Sequence, residues 1–125
     1  MDAALKEEWA QALESGKYKQ GHRVLRRRCY LTGEDDEFCC LGVLVDYLEP
    51  EGWVAPFDGL GAVSHVTPSD NIDTLETNYD GIAYPTERFL ESVGLSSVEV
   101  DQLAHLNDSG EKDFVGIAKY IREEL

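Results

Sequence analysis

Two adjacent thiols, Cys39 and Cys40, open the longest apolar run of the chain, Phe38-Cys39-Cys40-Leu41-Gly42-Val43-Leu44-Val45-Asp46-Tyr47-Leu48. If that run is a helix, a cysteine at its start gains thiolate character from the helix dipole. A histidine on a later strand, His65, would then serve as base, with Asn71 or Asp80 to orient it. A cysteine hydrolase built on Cys39, Cys40 and His65 is therefore the one catalytic alternative. The plain reading is that both thiols are small core residues. Metal binding fits poorly, because zinc favours a C-x-x-C knuckle and adjacent cysteines on a helix point about 100° apart. Asp70-Asn71-Ile72-Asp73 lacks the spacing and closing Glu of a calcium loop. We expect no metal and no cofactor.

Charge offers a second kind of chemistry. The net charge is −14, from 25 acids against 11 bases. Six of the bases fall in one acid-free stretch, Lys17 to Arg28. From Cys29 to Glu87 there are thirteen acids and no Lys or Arg. Such a surface repels nucleic acid and acidic membranes and attracts basic proteins. The residues expected to form a binding face are Glu34, Asp35, Asp36, Glu37, Asp58, Asp70 and Asp73. The competing reading is adaptation to a salt-rich cytosol. The basic stretch suggests an alternative anion or nucleotide site from Lys17, Gln20, Arg23, Asn107 and Asp108. No G-x-x-x-x-G-K or G-x-G-x-x-G loop supports it. Asp46 is costly inside an apolar helix unless paired, and an Arg of 23–28 or Asn107 and Asp108 are the expected partners.

These groups need elements to hold them. At 125 residues and 42% hydrophobic content, the chain is expected to be one globular domain. No run approaches the ~20 apolar residues of a membrane helix, and the first residues carry no secretion signal. The odd cysteine count is a poor disulfide framework. We expect a cytoplasmic protein. Residues 2–15 read as an amphipathic helix capped by Asp2 and ended by Gly16, with Trp9 as a core anchor. The Phe38 run reads as a central helix buried all round, capped by Asp36 or Glu34 and stopped by Pro50 and Gly52. Cys29-Tyr30-Leu31, Trp53-Val54, Ala62 to Val66 and Ile82-Ala83-Tyr84 read as short strands of an antiparallel sheet. After Pro85 come a helix ending at Gly94, another with a capping box at Ser96 and Glu99, and a last one burying Phe114, Ile117, Ala118 and Ile121. Asp108 or Ser109 is the expected cap of that last helix. The expected class is α+β, mostly helical, with four or five helices around the central one and a small antiparallel sheet.

Phe38-Cys39-Cys40-Leu41-Gly42-Val43-Leu44 and Leu106-Asn107-Asp108-Ser109-Gly110 stand together with Trp9, Leu13, Gly16, Tyr18, Gln20 and Gly21 near the start. As a set they resemble a family of small proteins of bacteriophages and other mobile elements. The resemblance covers both ends and the central helix, and little of 50–84. It implies origin rather than activity, since it carries over no catalytic or binding residue. Phage accessory proteins of this size often bind and block host proteins, defence complexes among them. The expected function is thus non-catalytic binding of a basic host protein through an acidic face. Nucleotide binding and cysteine hydrolysis are the two alternatives.

Overall fold

The computed structural model describes residues 1–27, 36–56, 62–65 and 83–125. The chain is α+β and mostly helical. Its helices are α1 (Ala3–Glu14), α2 (Cys40–Leu48), α3 (Glu87–Val93), α4 (Ser97–Asp108) and α5 (Phe114–Glu124). Its strands are β1 (Lys19–Gln20), β2 (Arg26–Arg27), β3 (Glu37–Phe38), β4 (Trp53–Pro56) and β5 (Ala62–His65), in the sheet order β1-β3-β2-β5-β4.

The sheet departs from expectation in two ways. It is mixed rather than antiparallel, because β1 runs parallel to β3. Three of its strands lie where the basic stretch and the head of the central helix were expected. Gln20 pairs with Phe38, and Arg26 pairs with both Phe38 and Val63. Strands of two residues carry too little pattern to be read by alternation. The strands expected at 53–54 and 62–66 correspond to β4 and β5. Cys29-Tyr30-Leu31 and Ile82 lie outside the described residues.

Helix α2 is the centre of the core. All six residues from Cys40 to Val45 are buried, so no polar stripe is needed until Asp46. It starts two residues later than the apolar run, since Phe38 is drawn into the sheet. Its cap is therefore neither Asp36 nor Glu34. Cys39 is extended (φ −82°, ψ 173°), and its sulfur accepts the Gly42 N–H at 3.3 Å. Gly42 lies against the Leu25 backbone, with no space for a side chain. Trp9 of α1 is fully buried and donates its indole N–H to the Cys40 carbonyl at 3.0 Å. Helix α5 packs along α1, and Arg122 spans Glu7 and Glu14 with four N–H···O bonds of 2.7–3.0 Å.

The caps divide between expectation and surprise. Asp2 caps α1, and Ser96 with Glu99 forms the capping box of α4. Gly94 ends α3 at φ 76°. The cap of α5 is Asp113, whose carboxylate accepts the Gly116 N–H at 2.9 Å, and not Asp108 or Ser109. Asp108 still belongs to the last turn of α4 and is engaged elsewhere.

Candidate functional site

The thiols come first. Cys39 and Cys40 are 4% and 0% exposed. Burial pushes the Cys39 thiol up from an ordinary value near 9 to about 12, against the lowering by hydrogen bonds from the helix backbone. Burial, followed by the neighbouring Cys39, pushes the Cys40 thiol well above its ordinary range. Desolvation thus overrides the helix dipole. The Cys40 sulfur instead sits 3.6 Å from the Leu103 carbonyl. His65 is equally enclosed. Its ring meets Trp53 edge-on at 4.9 Å and Phe89 at 6.0 Å. Its Nε2 donates to the Glu49 carbonyl at 2.9 Å, because a carbonyl can only accept. Cys39, Cys40 and His65 are all buried in the core. Asn71 and Asp80 lie outside the described residues.

The two sequence motifs meet at Asn107. This side chain is fully buried. Its Oδ1 accepts the Cys40 N–H at 3.2 Å and the Gln20 amide at 3.0 Å. Its Nδ2 donates to the Gly21 carbonyl at 2.8 Å and to Asp108 at 3.0 Å. An amide offers two acceptor sites and two donors, so all four are occupied. Asp108 also accepts the Arg23 N–H at 2.8 Å, where Arg23 adopts φ 73°. Gln20, Arg23, Asn107 and Asp108 therefore do come together, as the anion-site expectation required. Arg23 joins through its backbone N–H alone, the Gln20 amide also donates to the Lys112 carbonyl at 3.2 Å, and the Asp108 carboxylate puts a negative charge in the cluster that opposes an anion. Lys17 is turned elsewhere, its ammonium 5.4 Å from the Tyr18 ring centroid. The cluster is a clasp between α4, the α2 start and β1.

Among the described residues Asp46 is paired with Tyr18 and Trp53, and not with the partners expected. The Tyr18 hydroxyl donates to it at 2.7 Å and the Trp53 indole N–H at 2.9 Å. Burial, then the hydrogen bond to Asp46, raises the Tyr18 hydroxyl well above the ordinary tyrosine range. The Arg26 guanidinium is held by Asp36 at 2.7 Å and lies 5.2 Å from the ring centroids of both Phe38 and Trp53. The apolar patterning hid this network, because Tyr and Trp read as core residues while each brings one donor.

Of the seven expected acidic-face residues, Glu34, Asp35, Asp58, Asp70 and Asp73 lie outside the described residues. Asp36 pairs with Arg26, and Glu37 lies 3.8 Å from Lys19. Among the described residues, no three or more His, Cys, Asp or Glu side chains are grouped to hold a metal ion. None of the described helices is long and apolar enough to cross a membrane.

One surface feature was missed by the sequence reading. A shallow groove of about 380 Å³ runs beside α1 and the end of α2, lined by Glu8, Gln11, Ser15, Lys17, Tyr18 and Tyr47 among others. Tyr47 is 42% exposed, large for a tyrosine in an apolar helix. A second groove of about 340 Å³ lies between α4 and α5 beside His105 and Tyr120.

Residues 1–125 match the model of the family described as a domain of unknown function, DUF8296, and the chain belongs to that family. No curated protein and no solved structure matches the chain.

Proposed function

We propose that this member of DUF8296 is a non-catalytic domain that binds a protein with a basic surface. The observation that carries the reading is the carboxylate surplus. The net charge is −14, and bases at three described positions, Lys19, Arg26 and Arg122, are already engaged by the protein's own acids. The surplus carboxylates therefore project a negative field that steers cationic partners. The burial of both described thiols and of His65 favours a surface role over chemistry at those groups. The likeness of the Phe38–Leu44 and Leu106–Gly110 motifs to mobile-element proteins makes a host protein the partner to test first, with the host cytoplasm as the compartment. Free thiols at Cys39 and Cys40 fit that compartment.

The test is a sodium chloride titration read two ways. Thermal melting reports folding, and capture from host lysate followed by reconstitution with the purified, identified partner reports binding. On this reading melting changes little, and a basic partner elutes at moderate salt because exposed charges are screened beyond about 8 Å at physiological ionic strength. Glu34→Lys with Asp35→Lys then releases the partner. Asp36 is left alone, since it holds Arg26. A melting temperature that climbs steeply with salt, with nothing retained at low salt, refutes the reading in favour of salt adaptation.

A further inference from the structure

We infer that the groove between α1 and the end of α2 is the anchor point for an arginine side chain of the basic partner. The inference rests on the acidic-binding reading above and adds to it a site and a residue type.

The groove has the three parts such an anchor needs. The first is aromatic surface. Tyr47, 42% exposed, supplies it, and Tyr18, only 9% exposed, lines the wall beside it with its hydroxyl fixed on Asp46 at 2.7 Å. That bond holds the Tyr18 ring still, and a fixed ring face attracts a cation without first losing rotamer freedom. The second is a carboxylate outside the ion pairs of α1. Gln11 bonds to Glu7, and Glu7 and Glu14 are both held by Arg122. Ser15 is turned to the Ala12 carbonyl and the Lys17 N–H. Glu8 is exposed on the same groove wall and has no ion pair among the described residues. The third is an internal sign of the preferred occupant. Lys17 already places its ammonium 5.4 Å from the Tyr18 ring centroid. A flexible lysine on the rim is a weak tenant, because its ammonium is strongly hydrated. A guanidinium is planar, stacks on tyrosine and meets a carboxylate through two parallel N–H···O bonds. It therefore outcompetes Lys17 for the same face. The shallowness of the groove fits one side chain presented by a protein rather than an enclosed small molecule.

The inference is tested with two fluorescent decapeptides of equal charge, one of arginine and one of lysine, by anisotropy at low and at physiological salt. Wild type should bind the arginine peptide at least tenfold tighter than the lysine peptide. Tyr47→Ala and Glu8→Gln should each weaken arginine binding about tenfold and bring it close to lysine binding. Glu123→Gln with Glu124→Gln, which removes two exposed charges at the far end of α5, should change it less than twofold. Both anchor positions are exposed, and unchanged melting temperatures will confirm that the variants fold. If wild type binds both peptides equally, or if Tyr47→Ala binds as wild type does, the arginine anchor is overturned and the acidic-surface reading stands. If wild type binds neither peptide at low salt, the acidic-surface reading falls and takes the anchor with it.

Discussion

Gly42→Ala is the sharpest probe of the core. A Cβ at this position falls on the Leu25 carbonyl group, 2.7 Å from its carbon and 3.1 Å from its Cα. The obstacle is backbone rather than the tip of a flexible side chain, so it cannot rotate away. Overpacking of a filled core costs about 1–3 kcal/mol. Displacing Leu25 also strains the bond from the Cys39 N–H to the Leu25 carbonyl, 3.2 Å long. A buried donor left unsatisfied costs about 1–3 kcal/mol. Against these, alanine gains about 1 kcal/mol of helix propensity over glycine. The net is a loss of about 3 kcal/mol, which for a domain of this size lowers the melting temperature by about 12 °C. Gly116→Ala in α5 is the control. There the new methyl meets the Lys112 Cβ at 3.2 Å, its Cγ at 3.4 Å and the Asp113 carboxylate at 3.5 Å, so an exposed turn has to give by only a few tenths of an ångström. That variant should be neutral or more stable by up to about 1 kcal/mol. Urea melts of the two variants decide the matter. If Gly42→Ala melts with wild type, the α2–Leu25 approach described above is wrong.

Asn107→Ala should cost about 3 kcal/mol in a urea melt, because it strands the Cys40 N–H and the Gly21 carbonyl in the core; a loss under about 1 kcal/mol would mean the clasp carries little. Asp113→Ala should cost about 1 kcal/mol through its cap, whereas Ser109→Ala should fall within about 0.5 kcal/mol of wild type, and the reverse order would return the α5 cap to the Asn107–Gly110 turn. In a Cys29→Ser background, iodoacetamide at pH 7.5 should leave Cys39 and Cys40 unmodified in the native protein and label both after unfolding in urea; rapid native labelling would revive a nucleophilic cysteine. The Cys39 thiol is raised on folding from near 9 to about 12. Its neutral form therefore contributes stability that is full below pH 9 and is lost as pH rises towards 12. Cys39→Ser keeps an N-cap oxygen and should show a shallower alkaline decline in melting temperature than wild type.

The helices were legible because each has a period, a start and a stop. Trp9 and Leu13 mark the inner face of α1, and Asp2 sits where its cap is needed. The box at Ser96 and Glu99 was readable from two letters at the right spacing. The sheet was not legible. Its first three strands are two residues long, and one of them takes Phe38 away from the apolar run that α2 otherwise owns. The misplaced caps have one cause. A side chain near a helix start was credited with capping on type and proximity alone. Cys39, a weak acceptor, caps α2 because it is the residue whose backbone is extended at the right place, while Asp36 is held by Arg26. Asp108 likewise fails to cap α5 because Arg23 and Asn107 already occupy it.

The candidate site shows the same limit from the other side. The motif residues Cys39, Cys40, Gly42, Asn107 and Asp108 converge in space. What they build is the joint of the fold. Asn107 has no hydrogen-bonding capacity left, the two thiols are held protonated by burial, and Gly42 is needed for the approach of Leu25. A side chain with all four of its hydrogen-bonding sites filled, as Asn107 has, holds the fold together and has none left for a ligand. Recognition must then come from residues that packing does not explain. Tyr47 is one, since an exposed tyrosine on the central helix adds nothing to the core. Glu8 is another, since its neighbours Glu7 and Glu14 tie α1 to α5 and it does not. On the reading proposed above, the outer face of α1 and the end of α2 are where an arginine anchor is to be tested, away from the motifs that define the fold.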